Sequence, residues 1–204
     1  MIIALLIVEI FLPFLHFLAT QIINFNSFPL LLRTEGVEWK NSPGNPLTLK
    51  KNFWRTVLLS GLLVGTLDIT AALVQFYIKT GKDPLIVPKY IASAVFGKDA
   101  YAGGNQMVVY GFLFHYLIAF IWTLFFFFIY PRLNIRSWNR VVAGVLYGLF
   151  IWVIMNRVVV PMSKAPVSAF NLKQAVIAAL ILIAAIGLPL SFIAHRFYSS
   201  RLRS

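Results

Sequence analysis

Asp68 stands near the middle of an apolar run from Val57 to Ile78, in the context Gly61-Leu-Leu-Val-Gly65-Thr-Leu-Asp68-Ile-Thr70. A carboxylate can accept a proton or bind a cation. In hydrocarbon it costs on the order of 2.5–3.5 kcal/mol on insertion scales, so it calls for a polar partner or a neutralising proton. His115, in Gly111-Phe-Leu-Phe-His115-Tyr of a second apolar run, is the first candidate partner. An imidazole titrates in the physiological range, so the two groups could share or relay a proton. The other reading is a hydrogen bond that fixes helix packing. It comes first in weight, because stabilising polar contacts are common in bundles. Asn156 and Arg157 complete the set, in Trp152-Val-Ile-Met-Asn156-Arg157-Val-Val-Val-Pro161. Arg157 either snorkels to the headgroups, the preferred reading, or reaches Asp68 and holds it ionised. Asn156 is expected on the face shared by Gly148 and Trp152.

These residues must be positioned by helices. Four segments have about 20 or more mostly apolar residues, the length that crosses a bilayer: Phe53–Lys79, Asn105–Tyr130, Arg140–Met162 and Lys173–His195. On the first, Gly61, Gly65, Asp68, Ala72 and Gln75 recur at three and four residues and share one stripe. Small residues on such a stripe admit a close neighbour, so Asp68 should face the bundle. Gly111, His115 and Ala119 repeat the pattern on the second span, and Gly144 and Gly148 on the third. Asp68 lies roughly 16 Å from the outer end of its helix and His115 roughly 15 Å from the same side, at 1.5 Å per residue. Their depths match.

Composition agrees with a lipid solvent. The chain has 204 residues, 60% hydrophobic and only 12% charged, where a soluble domain carries about 25% charged residues. It has no cysteine, which excludes disulfides and zinc-thiolate sites. Phosphate-binding loops, dinucleotide fingerprints, nucleophile elbows and metalloprotease helices are missing, and one acid and one histidine at mid-depth make a poor metal site. No cofactor is implied. The formal charge of +12 suits lipid headgroups better than nucleic acid, since the basic residues flank the apolar segments. The expected partners are the bilayer, a proton, cation or small solute, and a second copy of the chain.

Arg and Lys also orient the spans. Lys50, Lys51 and Arg55, then Arg132, Arg136 and Arg140, then Arg196, Arg201 and Arg203 fall on one side. The positive-inside tendency makes that side cytoplasmic. Tyr130, Trp138, Trp54, Tyr77 and Tyr198 lie near span ends, as in an aromatic belt. The phenylalanines of Leu124-Phe-Phe-Phe-Phe-Ile-Tyr130 surround their helix, so several should face lipid. His195 is expected at the headgroups beside Arg196. Pro161 should end or kink the third span, and Gly187-Leu-Pro189 should kink the fourth, with Ser191 occupying freed carbonyls. Pro84 to Gly97 is too short to span and reads as an interfacial or re-entrant helix, a cap on the headgroups being preferred.

Residues 1–25 read as a candidate additional membrane or anchor helix, with Glu9 and His16 expected on one face. Residues 26–52 form a polar linker, 53–197 the four-helix membrane domain and 198–204 a basic tail. Three readings of the first segment stay open: a genuine span, an uncleaved anchor, or an upstream extension.

Gly61-x-x-x-Gly65-Thr-Leu-Asp68, Ile91-Ala-Ser with Gly103-Gly104, Gly111 and His115, Gly144-x-x-Tyr147-Gly148, Met155-Asn156 and Val160-Pro161-Met-Ser163 together resemble a group of small bacterial integral membrane proteins without an assigned activity. The resemblance covers Asn52–His195 and implies a bacterial inner-membrane location and a chain beginning near Lys50. It implies no substrate and no catalytic residue. The expected fold is an all-α transmembrane bundle. The expected function is transport or permeation through an Asp68/His115 site tuned by Asn156 or Arg157. The alternative is a non-catalytic structural or accessory protein, with lipid enzymology third.

Overall fold

The structure, a computed structural model, describes residues 46–132, 135, 138–167 and 170–200, with side chains for all of these except 46–52 and 200. The segment holding Glu9 and His16, the linker before Pro46, and Arg136, Arg201 and Arg203 lie outside the described residues. The chain divides into a unit ending at Thr56 and a second, Val57–Arg203, whose packing is described below.

The fold is an all-α helical bundle. Helix α1 runs Pro46–Thr80 and so takes in 46–52, assigned above to the linker. Proline suits a first turn, where its missing N–H would have no partner, and no breaker follows it. Gly81 ends the helix at φ 64°, its N–H bonded to the Tyr77 carbonyl at 2.8 Å. A short helix α2, Ile86–Phe96, stops at Gly97 (φ 68°), and a single turn α3, Asp99–Ala102, leads into α4, Gly104–Arg132. Helix α5, Arg140–Met162, starts at an Asn139 cap whose side chain accepts from the Val141 N–H. Helix α6, Leu172–Ser199, starts at an Asn171 cap on the Gln174 N–H. Among the described residues, four helices are long and apolar enough to cross a membrane: Phe53–Thr80 of α1, then α4, α5 and α6. Leu58, Leu62, Leu113, Leu146 and Leu180 lie exposed along them, a surface suited to lipid and unsuited to water.

The two prolines act through π turns. In α5 the residues Met155–Val159 form a widened turn, and the Val160 N–H reaches the Met155 carbonyl. In α6 Ile183–Gly187 does the same, with Leu188 N–H bonded to the Ile183 carbonyl. Each turn closes two residues before a proline, Pro161 or Pro189. A helical proline lacks its N–H and crowds the carbonyl four residues back; inserting one residue into the preceding turn accommodates both defects and keeps the chain helical.

The π turn of α6 lies on the glycine face of α5. A Cβ at Gly148 would stand 2.6 Å from the Ile183 Cα, and one at Gly144 would stand 2.9 Å from the Gly187 carbonyl. Backbone meets backbone here. That approach brings Ser191, one turn beyond Gly187, to the Arg140 carbonyl, where its hydroxyl donates at 2.7 Å. Ser191 therefore ties two helices together and does not serve its own helix's carbonyls. The glycines of α1 are likewise used within the chain: Gly61 faces the Phe120 ring, and Gly65 faces Tyr116 and Ala119 of α4.

Three of the four phenylalanines, Phe126, Phe127 and Phe128, are buried, as is Tyr130, while Phe125 is half-buried. Helices α4, α5 and α6 converge around Phe126, Phe127 and Tyr130. Phe126 packs on Tyr147 of α5 at 4.3 Å between centroids, and Tyr130 stacks on Tyr198 of α6 at 5.3 Å. Of the residues expected in an aromatic belt, Tyr130 is buried and Tyr198 half-buried, while Tyr77 and Trp138 are exposed. Helix α2, the short apolar helix expected to be interfacial or re-entrant, packs against the first turns of α4. Its Pro88 carbonyl fits against Gly111, and its Phe96 ring lies 5.4 Å from Tyr110 and 6.1 Å from Phe114. It packs beside α4 about 10 Å from that helix's start, seven residues at 1.5 Å each.

Gly148→Ala should lower the thermal midpoint in detergent, with overpacking costing about 1–3 kcal/mol. Leu146→Ala, on the exposed side of the same helix, should move it far less. Equal midpoints for Gly148→Ala and the unmodified chain would contradict the backbone contact.

Candidate polar site between the first two spans

The site is built where α1 crosses α4. Gly65 has no side chain, so the Tyr116 ring approaches to 3.0 Å of where a Cβ would be. That approach leaves the Gly65 carbonyl open to the imidazole of His115, whose Nε2 lies 2.8 Å from it. A carbonyl can only accept, so Nε2 carries a proton and donates. In the neutral ring Nδ1 is then the acceptor nitrogen. His115 is buried at 9% exposure, and its ring meets Tyr116 edge-on at 5.6 Å. Thr66 and Tyr116 add a second polar link between the helices, hydroxyl to hydroxyl at 2.9 Å.

Asp68 follows Gly65 by three residues, on the same side of α1. It is half-buried. Among the described residues its carboxylate makes no hydrogen bond and no ion pair. The Gly65 carbonyl that His115 binds is one turn before Asp68 on α1, so the two residues lie on neighbouring turns of the α1–α4 contact. The direct hydrogen bond of His115 goes to the α1 backbone and not to Asp68.

Asn156 and Arg157 are elsewhere. Both lie in the π turn of α5 and both are exposed. The Asn156 amide donates to the Trp152 carbonyl one turn back at 2.9 Å. The Arg157 guanidinium lies over the Phe170 ring at 5.4 Å. Asn156 is therefore exposed, not buried with Gly148 on the face where helical spacing had put it. Of the packing glycines, Gly61 and Gly65 frame the site. Gly111 lies one turn from His115 and receives α2, and Gly144 and Gly148 serve the α5–α6 contact.

Several polar partners were not foreseen. The Tyr147 hydroxyl, fully enclosed, donates to the Trp122 carbonyl at 2.5 Å. Tyr130 meets His195 Nδ1 at 3.0 Å, so the half-buried imidazole has a protein partner on α4. The Tyr198 hydroxyl donates to the Phe127 carbonyl at 2.7 Å. The signal available was the rule that a hydroxyl within a span must find a partner; spacing alone does not say which carbonyl.

Comparison with known proteins gives no matching family model, no matching curated protein and no matching solved structure.

Two measurements test this geometry. His115→Leu should destabilise the folded bundle by about 1–2 kcal/mol, the range of a hydrogen bond between membrane helices. In a double-mutant cycle Thr66→Val and Tyr116→Phe should couple by about 0.6 kcal/mol; strict additivity would remove the hydroxyl contact.

Proposed function

We propose that this protein moves protons or small cations across a membrane and that Asp68 is the group that takes them up. The observation carrying this reading is the division of labour at the site. His115 has the hydrogen bond to another helix, through the Gly65 carbonyl. Asp68 has none among the described residues. A carboxylate without such a bond contributes no fixed packing contact, so its unfavourable location calls for another explanation. An intramembrane acid beside an imidazole is suited to accept and release a proton: the Nδ1 of His115 can hold one while Nε2 stays bound to the backbone. Helix α2, packed at Gly111 one turn away, would bound the outer side of the path.

The same reading includes a bacterial inner membrane with the arginine-bearing helix ends in the cytoplasm, as the charge bias and the motif resemblance imply. A bundle of four spans encloses little space, so conduction would require a second copy, and that contact would use faces other than the glycine faces already occupied. The alternative, a structural or accessory protein, draws its support from His115 and from Tyr147, whose polar groups do bind neighbouring helices.

The decisive experiment is flux in liposomes carrying a pH-sensitive dye, under an imposed proton or potassium gradient. The unmodified protein should dissipate the gradient faster than empty liposomes. Asp68→Asn should reduce the rate at least tenfold while retaining the thermal midpoint. Flux indistinguishable from empty liposomes, or undiminished in Asp68→Asn, would overturn the transport reading in favour of the accessory one.

A further inference from the structure

At the opposite end of the bundle from α2, the start of α5 and the last turns of α6 lie side by side, tied by the Ser191 hydroxyl on the Arg140 carbonyl at 2.7 Å. Exposed side chains from both helices lie there. The Arg140 guanidinium sits over the Phe192 ring at 5.9 Å. Phe192 is itself 46% exposed. Arg196 is one turn further along α6, on the face of Phe192, and it too is exposed. Val141 and Trp138 add exposed apolar surface beside Arg140. The patch therefore has two cations at the helix ends, with aromatic and aliphatic surface running from them toward the middle of the spans.

The cations have no anion in the described chain. Its three acids are Asp68, within α1, and Asp83 and Asp99, both in the connection between α1 and α4 at the other end. Neither Arg140 nor Arg196 makes an ion pair among the described residues. Arg140 is further disfavoured by its place in the helix. It is the first residue of α5, and no acid occupies that first turn. The N-terminus of a helix is the positive end of its dipole, so a cation there is repelled and an anion is attracted. An anion from outside the chain would offset the repulsion and pair with both guanidinium groups.

We propose that Arg140, Phe192 and Arg196 form a binding site for an anionic phospholipid. The phosphodiester would be held between the two guanidiniums, whose planar forks match phosphate oxygens, and an acyl chain would lie over Phe192. Continuity of the cations with exposed apolar surface favours a lipid over a soluble phosphate, which would gain nothing from Phe192. Basic sites between membrane helices are a known form of headgroup recognition. This inference is independent of the proposed transport activity.

The test is native mass spectrometry of the full chain released from micelles containing phosphatidylglycerol or phosphatidylcholine, with thermal midpoints measured in the same mixtures. The unmodified chain should retain phosphatidylglycerol about tenfold more than phosphatidylcholine and be stabilised by it selectively. Arg140→Gln with Arg196→Gln should abolish the preference. Arg201→Gln with Arg203→Gln, which removes the same number of charges from the tail, should leave it largely intact. Equal retention of the two lipids by the unmodified chain overturns the proposal, and this measurement needs no variant to fold. A preference lost equally in the tail variant also overturns it, as diffuse surface charge. Displacement of the lipid by millimolar inorganic phosphate would overturn the lipid assignment in favour of a soluble anion.

Discussion

Helices in lipid receive no hydrophobic reward for finding each other, since the solvent is as apolar as their side chains. They must gain their stability from close packing and from polar groups matched across the contact. In this bundle both depend on the absence of a Cβ at a few positions. Gly144 and Gly148 let α5 meet the backbone of α6, and Gly187 completes that contact from the other side. Gly65 lets His115 reach a main-chain carbonyl of α1. Gly111 admits the Pro88 carbonyl of α2. Remove these approaches and the hydrogen bonds of His115 and Ser191 lose their partners, because each lies within one turn of a glycine contact.

The π turns belong to the same economy of close approach. Pro161 and Pro189 would break a regular helix, and each is preceded by a widened turn that keeps the chain helical. In α6 the widened turn is also the part that lies against Gly148. In α5 the widened turn carries Asn156 and Arg157 outward. The same device thus lies at a helix contact in one span and holds two exposed polar residues in the other. With Asn156 and Arg157 exposed on α5, the proposed site is a pair rather than a cluster of four.

Much of the architecture was legible in the residue pattern. The four spans follow from apolar length, and α2 from its prolines and Gly97. The glycine faces follow from three- and four-residue spacing, and the joint depth of Asp68 and His115 from counting helical rise. These features are local or nearly so, and a single helix carries the information. The burial of the phenylalanine run was not legible. A helix that is apolar all round gives no direction, and the convergence of α4, α5 and α6 puts Phe126 and Phe127 inside.

Sequence by itself determined the solvent, the number of apolar spans among the described residues, and the residues able to carry a proton or a charge. Composition and length decide those matters before any helix meets another. Tertiary structure decided the partners. It paired His115 with the Gly65 carbonyl, Ser191 with the Arg140 carbonyl and Tyr147 with the Trp122 carbonyl. It left the Asp68 carboxylate without a hydrogen bond among the described residues. The physical reason is that the acceptors are backbone carbonyls, identical at every position, and a side chain selects among them only by how closely and in what register two helices approach.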